Sequence, residues 1–135
     1  MLPAPAHHVT IVRDYGGEID TYSARVSAYL KRRVSVRITG ECVSACTMVA
    51  ALPADRICVG PKAEVSFHQA YLPNRFDPLD TTIRSDIGTE ILLKHYPPAL
   101  RAWLDEHGGL GPDLITLKGD ELAAVFRICP RRDRR

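Results

Sequence analysis

Three observations predict an α/β fold with a mainly parallel sheet and crossover helices. Short apolar and β-branched runs alternate with stretches of helical periodicity in the first half of the chain, which is typical of βαβ units. Apolar residues make up 45% of the 135 residues, enough for one buried core at this length. Glycine and proline turns separate the runs at short intervals. We therefore expect one α/β domain.

Each element follows from its periodicity. The predicted strands share apolar or β-branched runs bounded by turn residues. They are residues 9–12, 34–38, 56–59 and 63–67, with a further strand-like run near Ile115. The predicted helices share apolar residues spaced three or four apart. They are residues 18–33, 45–52, 81–94, 99–106 and 120–127, with Asp80 as the expected cap of the third helix.

The domain is predicted to span residues 1–130 and to end in a solvated basic tail, 131–135. Within it we expect a sheet core, a helical hairpin and a C-terminal segment. These parts are residues 9–69, 81–107 and 113–129.

Composition excludes two classes of partner. The net charge of +2 is too small to predict nucleic-acid binding. No run of 18 apolar residues is present, so we predict no membrane span. The first eight residues lack a basic region followed by an apolar stretch, so we predict no signal peptide in the sequence as it stands.

The four cysteines, Cys42, Cys46, Cys58 and Cys129, have three interpretations. A structural zinc site is the least favoured, because the first pair is spaced too widely and the second pair forms no knuckle. Buried free thiols are the favoured interpretation. One or two disulfides are the alternative and would indicate an oxidising compartment. We predict neither a metal nor a cofactor.

The residues with the most chemical potential lie between positions 39 and 69. Ser44 occupies a small-residue turn between a strand-like and a helix-like run, and His68 ends a later strand. A serine nucleophile needs a base within about 2.6–3.2 Å, which histidine supplies. The Ala45 N–H, at the helix start, and the Gly16-Gly17 turn are candidate oxyanion donors. The structural alternatives are a helix cap for Ser44 and a packing role for His68.

In their order, these motifs resemble those of the proteolytic subunit of the Clp protease and its relatives in the ClpP/crotonase-like superfamily. The matching segments are Tyr15-Gly16-Gly17, Gly40-Glu41-Cys42-Val43-Ser44-Ala45 and Phe67-His68-Gln69. Cys42-Val43-Ser44-Ala45-Cys46-Thr47 also resembles a Cys-x-Ser-Ala-Cys-Thr signature of small Clp-like proteins, often exported from bacteria. The resemblance begins at Asp14, is strong to Gln69 and is looser beyond it.

The resemblance implies the ClpP/crotonase-like fold and a serine peptidase with a catalytic triad. The implied roles are Ser44 as nucleophile, His68 as base, Gly17 and Ala45 as oxyanion donors, and Asp113 as the orienting carboxylate. Asp120 is the alternative carboxylate, although it also suits the cap of the last helix. The resemblance further implies a peptide or unfolded-protein substrate, and a homo-oligomer assembled through a projecting helical hairpin.

The sequence departs from the family at several places. Ala70 follows the His-Gln pair where the peptidases have proline, and the loop 71–80 replaces a glycine-rich segment. The family's axial loop and a preceding strand lack counterparts, which gives little support to an ATPase partner. The alternatives are a catalytically inactive Clp-like binding or assembly module and a crotonase-type acyl-CoA enzyme. The relatives and cysteines suggest an exported or periplasmic protein, with a cytoplasmic one as the alternative.

Overall fold

A parallel βαβ unit begins the fold. Strand β1 (His8–Asp14) leads into helix α1 (Ile19–Arg32) and strand β2 (Ser35–Val43), which pairs with β1 in parallel. The computed structural model describes residues 7–72 and 83–131. Helix α1 stops at Arg33, whose φ of 57° forms a left-handed C-cap. The two strands and the helix were all predicted, with ends that differ by a few residues.

The remaining strands lie on the side of β2 opposite β1. Strands β3 (Ile57–Val59) and β4 (Glu64–Phe67) both pair with β2 in parallel, at successive positions along it. Strand β5 (Ile115–Lys118) runs antiparallel to β4 and gives the order β1-β2-β4-β5. The predicted α/β class with a mainly parallel sheet is therefore confirmed.

Strand β2 is longer than the sequence predicted, because residues 40–43 continue it instead of forming a turn. Gly40 permits this continuation. A Cβ atom on Gly40 would collide with the Val12 carbonyl oxygen, where the β1–β2 register shifts between Ile11 and Arg13. Only glycine allows this close approach beside a bulge.

The helices differ from prediction mainly at their ends. A 3₁₀ helix, Ser44–Ala51, follows β2, and helices α2 (Asp86–Lys94) and α3 (Pro98–Glu106) lie in the segment predicted to form a helical hairpin. The expected start of α2 at residue 81 is wrong, because the Ser85 hydroxyl accepts the Gly88 N–H and caps the helix there. The proposed cap Asp80 lies outside the described residues.

The last predicted helix is a 3₁₀ turn, Gly119–Glu121, followed by the short helix α4 (Leu122–Val125). Asp120 lies inside this turn, and neither segment has a side-chain cap. The interpretation of Asp120 as a helix cap is therefore wrong. No helix of the described residues is long and apolar enough to cross a membrane.

The favoured interpretation of the cysteines as free thiols is also wrong. Cys42 pairs with Cys46 at a Cα–Cα distance of 5.4 Å, and Cys58 pairs with Cys129 at 4.8 Å. The second disulfide joins β3 to the C-terminal segment, beside a backbone hydrogen bond from Cys129 N–H to the Val59 carbonyl. Both disulfides lie within a core that includes Val36, Ile38, Met48, Phe67, Leu92, Leu100, Leu104, Leu117 and Leu122.

Candidate functional site

Ser44 lies at the junction where β2 ends and the 3₁₀ helix begins, and its φ is +60°. Arg33 is the other non-glycine residue with positive φ in the described part of the chain, and it is an ordinary helix cap. A left-handed serine costs about 1–3 kcal/mol and persists only when its surroundings impose it. Strained serines at strand-to-helix turns are typical of nucleophiles.

Ser44 does not act as the helix cap that the structural alternative required. The N-cap position is Val43, and no side chain caps this helix. The turn is instead fastened by the Cys42–Cys46 disulfide, which brackets Ser44, and by the Thr47 hydroxyl, which donates to the Ser44 carbonyl at 2.6 Å. Ser44 itself remains partly exposed, as a nucleophile must be.

The Gly16-Gly17 turn, which follows β1, packs against the Ser44 turn. Gly16 has a φ of +88°, and a Cβ atom on it would lie 2.9 Å from the Ala45 nitrogen. The Gly16 N–H donates to Asp14 Oδ1 at 2.8 Å, so the Gly17 N–H is the one left for a ligand. Ala45 is the second residue of the 3₁₀ helix, where N–H groups lack intrahelical acceptors. The Gly16 turn, which precedes the predicted donor Gly17, therefore contacts the nitrogen of the predicted donor Ala45.

Asp14 anchors this glycine turn, and sequence reasoning missed it. Its Oδ1 atom accepts the Gly16 N–H and, at 2.7 Å, the Tyr22 hydroxyl, while Arg25 lies 3.7 Å from Oδ2. Burial, followed by the hydrogen bond to Asp14, raises the pKa of Tyr22, so this phenol donates at neutral pH. The available signal was an aspartate two residues before a glycine, the spacing of an Asx turn.

His68 lies at the same edge of the sheet as Ser44. Val43 pairs with Ser66 in the parallel β2–β4 ladder, and neighbouring strands lie about 4.8 Å apart. Ser44 and His68 therefore follow adjacent strands past the same carboxyl edge. Among residues 7–72 and 83–131, no hydrogen bond joins the Ser44 hydroxyl to the His68 ring.

The His68 ring is oriented by its own loop. Nδ1 lies 2.5 Å from the Gln69 carbonyl oxygen, and the ring packs against Tyr71 with 5.1 Å between centroids. A carbonyl can only accept, so Nδ1 carries a proton, and Nε2 is the nitrogen with the lone pair in the neutral ring. This tautomer suits a general base that acts through Nε2.

The two candidate carboxylates lie at opposite ends of β4. Phe67 pairs with Ile115, and the Gln69 N–H donates to the Gly111 carbonyl at 2.8 Å. Asp113, between these two contacts, therefore lies on the segment beside His68. Its side chain is exposed, and no hydrogen bond or ion pair within the described ranges joins it to the His68 ring.

Asp120 lies beyond Lys118, which pairs with Glu64 at the start of β4. The length of β4 separates that position from His68 by roughly 13 Å. The sheet register thus brings Asp113, and not Asp120, to the edge that carries Ser44 and His68.

Arg84 joins the His68 loop to the loop that follows α3, and the sequence did not indicate it. Its guanidinium donates to Gln69 Oε1 at 2.9 Å and to the Leu110 carbonyl at 2.8 Å. Both acceptors adjoin the segments that carry His68 and Asp113. Arg84 therefore holds these two segments at a fixed distance.

A cavity of about 200 Å³ lies behind the site, between β1, α1 and the 3₁₀ helix. Asp14, Tyr22 and Cys46 line it, whereas Ser44 and His68 do not. Within the described residues, no group of three or more His, Cys, Asp or Glu side chains is arranged to hold a metal ion. No protein-family model matches the chain, and no curated protein matches it either.

Proposed function

We propose that the protein is a serine-type peptidase with a ClpP/crotonase-like fold and an acyl-enzyme mechanism. The observation that carries the proposal is the left-handed Ser44 at the carboxyl end of β2, fitted against the Gly16 turn. Helix capping does not account for this strain, because Ser44 caps no helix. The position of His68 past the adjacent strand supports the same function.

In the proposed mechanism, the Ser44 hydroxyl attacks the scissile carbonyl and passes its proton to His68 Nε2. The oxyanion accepts hydrogen bonds from the Gly17 and Ala45 N–H groups. His68 then protonates the leaving amine. Water attacks the acyl-enzyme with His68 again as base, which releases the product acid and restores Ser44.

Asp113 is the proposed third member of the triad. In the described geometry, the Gln69 carbonyl accepts from His68 Nδ1 and can hold the neutral tautomer by itself. A carboxylate adds stabilisation of the imidazolium that forms when Ser44 loses its proton. Asp113 lies on the neighbouring segment and would supply this charge by turning towards the ring.

The proposed substrate is a short peptide or an unfolded segment. The proposed assembly is a homo-oligomer through the α2–α3 hairpin, because Ile83 and Ile87 are 50% and 78% exposed near its start. Light scattering at micromolar concentration tests this, and a monomer would contradict it. Two disulfides favour an exported protein, since such bonds persist in oxidising compartments.

The second candidate is an inactive binding or assembly module of the same fold. The observation that favours it is the lack, among the described residues, of a hydrogen bond from Ser44 or from a carboxylate to His68. Catalytic hydrogen bonds are often long without substrate, so this geometry leaves the peptidase proposal standing.

A fluorophosphonate probe separates the two candidates. We expect the wild-type protein to be labelled at Ser44, and the Ser44→Ala and His68→Ala variants to lose labelling. Ser27→Ala, on the exposed face of α1, and His8→Ala, at the opposite end of the sheet, are the matched controls. Labelling that survives both site substitutions, or wild-type protein that takes up no probe, would reject the peptidase.

A further inference from the structure

A buried chain of hydrogen bonds runs from the connection between α2 and α3 to the Ser44 turn. Tyr96 lies between α2 and α3 and is 5% exposed. Its hydroxyl oxygen lies 2.6 Å from Thr47 Oγ1, and the Thr47 hydroxyl lies 2.6 Å from the Ser44 carbonyl oxygen. Thr47 is itself buried. Thr47 fastens the Ser44 turn, and Tyr96 extends this contact to the connection between α2 and α3.

The donor and the acceptor in each of these two hydrogen bonds follow from their chemistry. A carbonyl can only accept, so the single Thr47 proton points to Ser44. The Tyr96 hydroxyl must then donate to Thr47. Burial raises the pKa of Tyr96 well above its ordinary value, so Tyr96 keeps this proton throughout the neutral range.

The Ser44 carbonyl, which is the last acceptor of these hydrogen bonds, adjoins the proposed oxyanion donor Ala45. The Ser44 C=O and the Ala45 N–H belong to one planar trans peptide group and point in opposite directions. A hydrogen bond that fixes the carbonyl therefore fixes the direction of the N–H. We propose that Tyr96 and Thr47 are positioning residues that hold the Ser44–Ala45 peptide plane and thereby aim the Ala45 N–H at the oxyanion. This inference rests on the proposed function.

The expected effects follow from the bonds removed. Tyr96→Phe removes one buried hydrogen bond and should lower the labelling rate constant about tenfold. Thr47→Val removes both bonds and should lower it about a hundredfold, the scale of one lost oxyanion donor. Thr47→Ser keeps the hydroxyl and should stay within about threefold of wild type.

The experiment measures the second-order rate constant of fluorophosphonate labelling between pH 5 and pH 9. We expect Tyr96→Phe and Thr47→Val to lower the plateau of the profile and to leave its midpoint unchanged, because His68 is untouched. Tyr29→Phe, whose hydroxyl forms no hydrogen bond within the described ranges, and Thr116→Val, which faces Ser66, should keep the wild-type plateau. A plateau within twofold of wild type in both Tyr96→Phe and Thr47→Val would overturn the inference.

A second measurement separates this inference from the proposed function. The ¹³C shift of the Ser44 carbonyl and the amide shift of Ala45 report the hydrogen bond directly. We expect both to move in Tyr96→Phe and Thr47→Val and to stay in Tyr29→Phe, even if the wild-type protein takes up no probe. Unmoved shifts would overturn the positioning role, whereas absent labelling with moved shifts would reject only the peptidase. If Thr47→Val fails to fold, Tyr96→Phe decides the outcome.

Discussion

Gly16 lies so close to Ser44 that a Cβ atom on Gly16 would stand 3.0 Å from the Ser44 Cβ atom. All of α1 separates these residues along the chain, yet the parallel β1–β2 pairing brings their turns together at one edge of the sheet. The contact leaves no room for any side chain at position 16. The same contact includes the Ala45 nitrogen, one of the two proposed oxyanion donors.

Gly16→Ala is expected to abolish labelling of Ser44 and to lower the free energy of unfolding by at least about 2 kcal/mol. The left-handed conformation accounts for about 1–2 kcal/mol, and the contact with Val43 and Ala45 adds to it. Urea unfolding and probe labelling measure the two effects. Gly108→Ala is the matched control, since Gly108 has a φ of +94° with nothing within 4 Å. It should lose stability but keep labelling; equal labelling in both variants would contradict the argument.

Asp14→Ala is expected to slow labelling and to destabilise the protein by about 1–3 kcal/mol, because it strands the Gly16 N–H and the Tyr22 hydroxyl. Asp14→Asn keeps one acceptor oxygen, so its labelling rate and its stability should lie between those of the wild type and Asp14→Ala. Asp86→Ala, which breaks an exposed ion pair with Arg84, should cost at most about 1 kcal/mol. Asp14→Ala with wild-type stability and labelling would show that the turn does not need its anchor.

The two disulfides should have different effects when removed. Loss of Cys58–Cys129, by a double substitution to alanine, opens a long loop and should cost about 4 kcal/mol, against about 2 kcal/mol for the short Cys42–Cys46 loop. Only the Cys42–Cys46 variant should slow labelling, because that disulfide brackets Ser44. Both variants are compared at a temperature where both are folded. The reverse order of labelling rates would refute this assignment.

Asp113→Asn is expected to slow labelling, by as much as about 10⁴-fold if Asp113 orients His68 as a full triad member. Asp120→Asn, at the other end of β4, should leave the rate unchanged. Both positions are exposed, so neither change should alter stability by more than about 0.5 kcal/mol. If Asp113→Asn reacts at the wild-type rate, the Gln69 carbonyl is the sole orienting group.

The free energy of unfolding should fall as the pH rises above about 10. Burial raises the pKa of Tyr96 above its ordinary value of 10.0, so the folded state holds this proton more tightly than the unfolded chain. The contribution of Tyr96 to the free energy of unfolding is complete below pH 10. It decreases at higher pH by up to about 1.4 kcal/mol per pH unit. Tyr96→Phe should reduce the slope measured by urea unfolding between pH 10 and pH 11. An unchanged slope would mean that Tyr96 is not the group responsible. Tyr22 and Tyr15 contribute to the remaining slope, since the pKa of each is also raised.

Local patterns in the sequence were sufficient for the α/β class and for most elements. Helix α1 was predictable because Tyr22 and Val26 recur on one face and both are buried. The start of α2 was not predictable in this way, because apolar spacing does not indicate that Ser85 caps the helix. The order of the Ser44 and His68 motifs predicted a peptidase, and that remains a prediction.

The sequence by itself determined most of the sheet-forming runs and amphipathic helices, and it placed Ser44 and His68 at the ends of strands. It could do so because periodicity and turn chemistry act between near neighbours. Only the tertiary structure decided the cysteine pairing, the anchor at Asp14 and the chain from Tyr96 to Ser44. Each of these depends on sheet register and on packing between segments distant in sequence. Cys58 and Cys129 are 71 residues apart, and nothing in their spacing indicates that their Cα atoms lie 4.8 Å from each other.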